Sequence, residues 1–64
     1  MFIIRLNDGN YLMNVRLSSN DLEYDRTRNR QKADRLNDVD SQLALKRLRN
    51  MGEKNPEREV PAEG

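Results

Sequence analysis

The chain has 64 residues, of which 34% are hydrophobic and 36% are charged, and its formal net charge is +1. A chain of this length forms one small domain with a thin margin of stability. Because it contains no cysteine and no histidine, disulfides are excluded and a zinc site is not expected, so any added stabilisation should come from self-association or a protein partner.

The first predicted element is a β-hairpin over residues 2–17. Asp8 and Gly9 separate two runs that are rich in apolar and β-favouring residues, and a two-residue Asp-Gly loop is typical of a type I′ turn. That loop places Leu6 opposite Tyr11 and so sets the register of the hairpin. Because side chains alternate between the two faces of a strand, one face is predicted to carry Phe2, Ile4, Leu6, Tyr11, Met13 and Val15. The other face then carries Arg5, Asn14 and Arg16, with the apolar exceptions Ile3 and Leu12.

A third strand is predicted over residues 22–28, after a cluster of turn-forming residues. Leu22 and Tyr24 alternate with Glu23 and Asp25, which is typical of a half-buried strand. The three strands are then expected to form an antiparallel meander with one apolar face. A sheet of this size needs a covering element to be stable.

The covering element is a C-terminal helix predicted from about Val39 to Met51. Asp38 or Asp40 is the expected N-cap, and Gly52 is the expected residue just beyond the C-cap. One side of this helix is expected to face the sheet and carries Ala44, Leu48 and Met51, with Leu45 at its margin. A second apolar side, together with the segment before the helix, carries Leu36, Val39 and Leu43.

Residues 53–64 contain two prolines, a glycine and several glutamates, a composition that predicts a flexible charged tail. The sequence therefore predicts one small α+β domain in residues 1–52. Its architecture is a three-stranded antiparallel β-meander packed against a C-terminal α-helix, followed by a disordered tail.

Residues that could carry out catalysis are scarce in this sequence. There is no histidine or cysteine to act as base or nucleophile, and the three glycines are isolated, which excludes a glycine-rich phosphate loop. We expect no enzymatic activity, no metal site and no cofactor. No apolar run approaches the roughly 20 residues of a membrane span, and we expect a soluble, cytoplasmic protein.

Two sets of residues are candidates for binding. The first is a basic strip in which five cations oppose Asp34 alone, a net charge of +4 over residues 26–35; its members are Tyr24, Arg26, Arg28, Arg30, Lys32 and Arg35. Guanidinium groups beside an aromatic ring suit single-stranded nucleic acid or an acidic protein, and solvated or ion-paired arginines are the alternative. The second is an apolar set expected to form an interface with a protein partner or a second copy; its members are Ile3, Leu12, Leu36, Val39 and Leu43.

The stretches Phe2–Leu12 and Lys32–Asp38 resemble those of small proteins encoded by phages and prophages of Gram-positive bacteria. In many such proteins a hairpin is followed by a strand, a turn with an aromatic residue and a closing helix. Leu36 stands here where the aromatic residue is more usual. The resemblance spans residues 2–51 and implies a small β-rich α+β fold that binds a host machine in the host cytoplasm. It implies no catalytic residue.

We therefore expect a non-enzymatic binding protein that acts through protein–protein interaction and, as the resemblance implies, a phage-encoded modulator of a host machine. Two alternatives remain open at this point. One is a nucleic-acid-binding protein that uses the basic strip, and the other is a self-assembling structural component.

Overall fold

The computed structural model describes residues 1–61 of the chain. The elements in chain order are β1 (Ile3–Arg5), β2 (Tyr11–Leu17), β3 (Leu22–Thr27), a 3₁₀ turn (Arg30–Lys32), α1 (Asp38–Asn50) and β4 (Glu57–Glu59). Neighbouring strands are antiparallel, and their order in the sheet is β3-β2-β1-β4. The predicted α+β class, with an antiparallel sheet and a helix, is confirmed.

Leu6 and Asn10 close the hairpin between β1 and β2, so its loop has three residues, 7–9, and the predicted two-residue loop is wrong. The N–H of Leu6 donates to the carbonyl of Asn10 (2.7 Å), and the N–H of Gly9 donates to the carbonyl of Leu6 (3.0 Å). The φ of Gly9 is +87°, a left-handed conformation that closes such a loop without a steric cost. The carboxylate of Asp8 accepts the N–H of Asn10 (3.0 Å), and this bond favours the longer loop.

The longer loop shifts the register by one residue and changes the side chains that face α1. Arg5 lies opposite Tyr11, so both point to the face of the sheet away from α1, which we call the outer face. By alternation Met13 is on the outer face, and Leu12 joins Ile4 on the helix side. The prediction that Tyr11 and Met13 face the helix is therefore wrong, and Leu12 belongs to the core.

A β-bulge at Asn14 corrects the alternation farther along β2. The pairing of β2 with β3 slips by one residue between Met13 and Arg16, and Asn14 has a φ of +51°. Asparagine adopts this left-handed conformation more readily than most residues. Because of the bulge, Val15 and Leu17 return to the helix side and pack against the core.

The core lies between α1 and the helix side of the sheet. Its buried residues are Ile4, Leu6, Leu12, Leu22, Ala44 and Leu48, and the partly buried residues packed against them are Val15, Leu17, Tyr24, Leu36 and Leu45. Met51 was predicted to face the sheet, but it is the C-cap of α1 and is 54% exposed. The predicted core residues of β1 and of the middle of α1 are confirmed.

Both ends of α1 are fixed by local hydrogen bonds. The N-cap is Asn37, whose side chain accepts a backbone N–H of the first turn (2.7 Å), so the prediction of an aspartate cap is wrong. At the other end Gly52 has a φ of +93°, and the N–H groups of Gly52 and Glu53 donate to carbonyls of the last turn. This is a Schellman motif, and it confirms Gly52 as the residue that follows the C-cap.

Residues 53–61 are part of the domain, contrary to the prediction of a flexible tail. β4 pairs with β1, with Glu59 opposite Ile3, and the flanking Pro56 and Pro61 are buried. The sheet therefore has a fourth strand beyond the predicted meander. The rest of the predicted tail, residues 62–64, lies outside the described residues.

Replacing Leu48 tests the core. Leu48 is completely buried, and Leu48→Ala should lower the free energy of unfolding by about 2–5 kcal/mol because it leaves a cavity. Val39→Ala is the matched control at a residue that is 73% exposed, and it should change this energy by about 0.5 kcal/mol or less. Urea denaturation gives both values, and equal small effects would contradict the core assignment.

Replacing Asn14 tests the bulge. Asn14→Gly should preserve stability, because glycine adopts a left-handed φ freely. Asn14→Val should lower the free energy of unfolding by about 1–3 kcal/mol, since a β-branched residue is strained in this conformation. Thermal unfolding of the two variants makes the comparison, and a Val variant as stable as the Gly variant would exclude a strained φ at residue 14.

Candidate functional site

The two edges of the sheet differ in how open they are. β4 has only three residues and lies between the buried Pro56 and Pro61, and short strands and prolines protect an edge from further pairing. β3 has six residues and no proline, and within residues 1–61 it pairs with β2 alone. The N–H of Leu22 donates to the carboxylate of Asp21 (2.8 Å), and the other backbone N–H and C=O groups on the free side are available along the rest of β3.

An open groove of about 660 Å³ runs beside this free edge. Its lining includes residues from both faces of β3, Asn14 and Arg16 of β2, and Met51 at the end of α1. Met51 is among the most exposed large apolar residues of the described chain. The groove thus combines a free strand edge, an apolar wall and charged residues.

On the helix side of the groove, one carboxylate holds two side chains of β3. The hydroxyl of Tyr24 donates to Glu53 (2.7 Å), and Arg26 forms an ion pair with the same carboxylate and a second with Asp8 (2.9 Å). The guanidinium of Arg26 lies 5.8 Å from the centroid of the Tyr24 ring, within the range of a cation–π contact. Partial burial, aided by the hydrogen bond to Glu53, raises the pKa of Tyr24, so the phenol remains a hydrogen-bond donor at neutral pH.

The outer face of the groove is acidic. Glu23 and Asp25 are both exposed there, and they alternate with the helix-side residues of β3. Arg16 approaches Glu23 at 3.5 Å, but both side chains are more than 60% exposed, so the pair contributes little. The amide of Asn14 donates to the carboxylate of Asp25 (3.0 Å). Two carboxylates therefore stand along the free edge with little to offset their charge.

The predicted basic strip does not form one surface. β3 ends before Arg28, so only Tyr24 and Arg26 share a strand face. Arg30 belongs to the 3₁₀ turn, where its guanidinium pairs with Glu59 of β4 (3.2 Å). Two of the arginines are thus engaged by carboxylates from distant parts of the chain.

The other cations of the strip are Arg28, Lys32 and Arg35. All three are exposed, and within residues 1–61 none of them forms an ion pair with a carboxylate. They follow the end of β3, in or near the 3₁₀ turn, and among residues 1–61 the cation over the ring of Tyr24 is Arg26. The combination of an aromatic ring and several free cations is therefore absent from this stretch.

The predicted apolar interface is also divided. Ile3 and Leu12 are buried, each about 1% exposed, and Leu36 packs against the core. Leu43 is half-buried, and Val39 alone of the five is largely exposed. These residues do not form a common surface, because the register shift places Leu12 in the core and the outer face at Ile3 is covered.

Six residues that line the groove were not among the predicted site residues, namely Asn14, Arg16, Leu22, Glu23, Asp25 and Met51, and neither was Glu53, which holds Tyr24. Met51 was assigned to the core and Glu53 to the tail. A sequence signal for both is Gly52, since a left-handed residue after a helix turns the next residue back toward the last turn. That turn leaves Met51 at the surface and brings Glu53 to Tyr24.

Within residues 1–61 there is no group of three or more histidine, cysteine, aspartate or glutamate side chains that could hold a metal ion. Among the helices of that range, none has the length and apolarity needed to cross a membrane.

No protein-family model, characterised protein or solved structure matches this chain. The geometry of the groove is thus the basis for a functional assignment.

The titration of Asp8 tests the electrostatics of the helix side. The backbone N–H of Asn10 is the largest cause that lowers the pKa of Asp8 below its ordinary value of 3.8, with Arg26 a lesser one. A lowered pKa in the folded state means that the stability contributed by Asp8 is present above pH 3.8 and is lost as the pH falls through the lower value.

An NMR titration of the Asp8 carboxyl carbon should therefore give a midpoint below 3.8. Arg26→Gln should raise that midpoint only slightly, because the backbone donor remains. A midpoint at or above the ordinary value in the wild-type chain would show that the hydrogen bond from Asn10 is not formed.

Proposed function

We propose that this chain is a non-enzymatic binding protein that acts through protein–protein interaction, and that the partner adds an extended segment to the free edge of β3. The observation that carries this proposal is the six-residue, proline-free edge with an open groove beside it. An unpaired strand edge is a template for another chain, and strand addition is a recurring mode of peptide recognition.

The side chains around the groove favour the same mode. Strand addition gains affinity from main-chain hydrogen bonds and specificity from contacts with every second side chain of the added segment. Tyr24 and Met51 supply such contacts on the helix side, and methionine adapts to different shapes. Because Glu53 already holds Tyr24, little side-chain freedom is lost at that residue on binding.

The resemblance to phage- and prophage-encoded proteins gives this proposal a biological setting. In that setting the partner is a component of a host machine, and the added strand occupies or displaces one of its extended segments. The groove needs no catalytic residue for this role.

Nucleic-acid binding is the second candidate, favoured by the exposed Arg28, Lys32 and Arg35. It has less support because Arg26 and Arg30 are engaged by Glu53, Asp8 and Glu59. Affinity for nucleic acid grows with the number of phosphates that free cations neutralise, and three scattered cations are few.

Peptides selected from a displayed library on the immobilised chain provide the test. We expect Met51→Ala to weaken the binding of selected peptides by about three- to tenfold, because it removes the apolar wall of the groove. Val39→Ala is the matched control, since this residue is also exposed but lies at the opposite end of α1. Fluorescence anisotropy with labelled peptides measures both affinities.

A loss at Val39 with none at Met51 would place the binding surface elsewhere and contradict the proposal. A single-stranded oligonucleotide titrated at two salt concentrations completes the comparison. Salt-sensitive binding of the oligonucleotide, with no peptide selected, would favour the nucleic-acid alternative.

A further inference from the structure

We infer that the partner segment is a strand in which basic and apolar residues alternate, with the basic side chains on the outer face of the sheet. This inference rests on strand addition at β3, proposed above, and adds the chemistry of the partner. It follows from the different character of the two sides of the free edge.

The outer face selects for positive charge. Side chains directly opposite each other in neighbouring strands lie on the same face, where opposite charges stabilise the pair and like charges destabilise it. An added strand would meet Glu23 and Asp25 on this face. Arg16, opposite Glu23 on β2, makes only a long, solvent-exposed contact with it, and within residues 1–61 Asp25 forms no ion pair, so the edge retains an unbalanced negative charge.

The helix side selects for apolar residues. Leu22 is buried, Tyr24 is half-buried, and Met51 stands beside them at the mouth of the groove. Arg26 also lies on this side, but its charge is offset by Asp8 and Glu53. A side chain that an added strand directs toward the helix side therefore meets the apolar side chain of Met51 and the ring of Tyr24, beside the charge-balanced Arg26.

The same charges act against a second copy of this chain. In an antiparallel pair of β3 strands related by a two-fold axis perpendicular to the sheet, opposing residues must share a face. The axis can then pass beside residue 23, 24 or 25 of β3. These three registers pair Glu23 with Glu23, Glu23 with Asp25, and Asp25 with Asp25 of the other copy, in that order. Each of these juxtaposes two carboxylates, which is how natural edges resist self-pairing. A basic segment is accepted where a copy of β3 is repelled.

Capped peptides of about eight residues, somewhat longer than β3, test the inference. One alternates lysine and valine, the second alternates glutamate and valine, and the third has the composition of the first with its lysines and valines in separate blocks. Each is titrated into the isotope-labelled full chain, and the backbone amide shifts of residues 22–27 are followed by NMR. We expect the alternating lysine peptide to shift these amides and to bind more tightly than the other two.

Charge variants identify the residues responsible. Replacing both carboxylates, Glu23→Gln with Asp25→Asn, should weaken the lysine peptide by about two- to thirtyfold, the range expected for two cross-strand charge pairs. Added salt should weaken binding to the wild-type chain more than to this variant. Asp40→Asn, on α1 and away from the groove, is the matched control and should leave the affinity unchanged. Glu23→Lys with Asp25→Lys should transfer the preference to the glutamate peptide.

The outcomes separate this inference from the proposed function. Equal binding of the lysine and glutamate peptides at β3, or an unaltered affinity in the neutral double variant, overturns the charge preference but leaves strand addition in place. If none of the peptides shifts the amides of residues 22–27, strand addition itself is overturned. Sedimentation of the wild-type chain as a dimer that Glu23→Lys with Asp25→Lys abolishes would overturn the exclusion of a second copy.

Discussion

The left-handed backbone at Asn14 is the constraint on which the rest of the sheet depends. Leu12 and Val15 must both face α1, yet an uninterrupted strand would place residues three apart on opposite faces. The bulge resolves this conflict and leaves the N–H of Val15 without a ladder partner. That N–H donates to the carboxylate of Asp34 (2.8 Å), whose own N–H donates to the carbonyl of Leu12 (3.0 Å). The segment after β3 is thereby fixed against β2.

The same bulge contributes to the groove. A bulge increases the local twist of a strand pair, and the amide of Asn14 holds the carboxylate of Asp25 on the outer face. At the other wall, the turn at Gly52 exposes Met51 and returns Glu53 to Tyr24. Two residues with a left-handed backbone, Asn14 and Gly52, thus lie beside the free edge. Each also has a role in the fold, Asn14 in the bulge of β2 and Gly52 in the C-terminal cap of α1.

Local signals predicted the first three strands and the helix well, and what they missed has one local cause and one long-range cause. Gly52 was identified because a C-terminal cap depends on neighbours in the chain. The hairpin register was not, because the bond from Asn10 to Asp8 decides the length of the loop, and an Asp-Gly pair suits either length. β4 is missed because the prolines, glycine and glutamates of residues 53–64 predict a tail, and Glu57–Glu59 are all charged.

Ion pairs between residues far apart in the sequence accompany the backbone pairing of β4 with β1. Arg5 pairs with Glu57 (2.8 Å) and Glu59 (3.0 Å) on the outer face, while Arg58 pairs with Asp38 and lies 4.3 Å from the centroid of the Phe2 ring. Opposite charges have thus been matched at β4 and on the helix side of β3. Glu23 and Asp25 are left on the longest open edge, where unmatched charge costs little in water and disfavours pairing between copies. The charges of Glu23 and Asp25 stabilise an added strand that carries positive charge and destabilise pairing with a second β3. Protection from self-association and selectivity for a basic strand therefore have the same electrostatic origin.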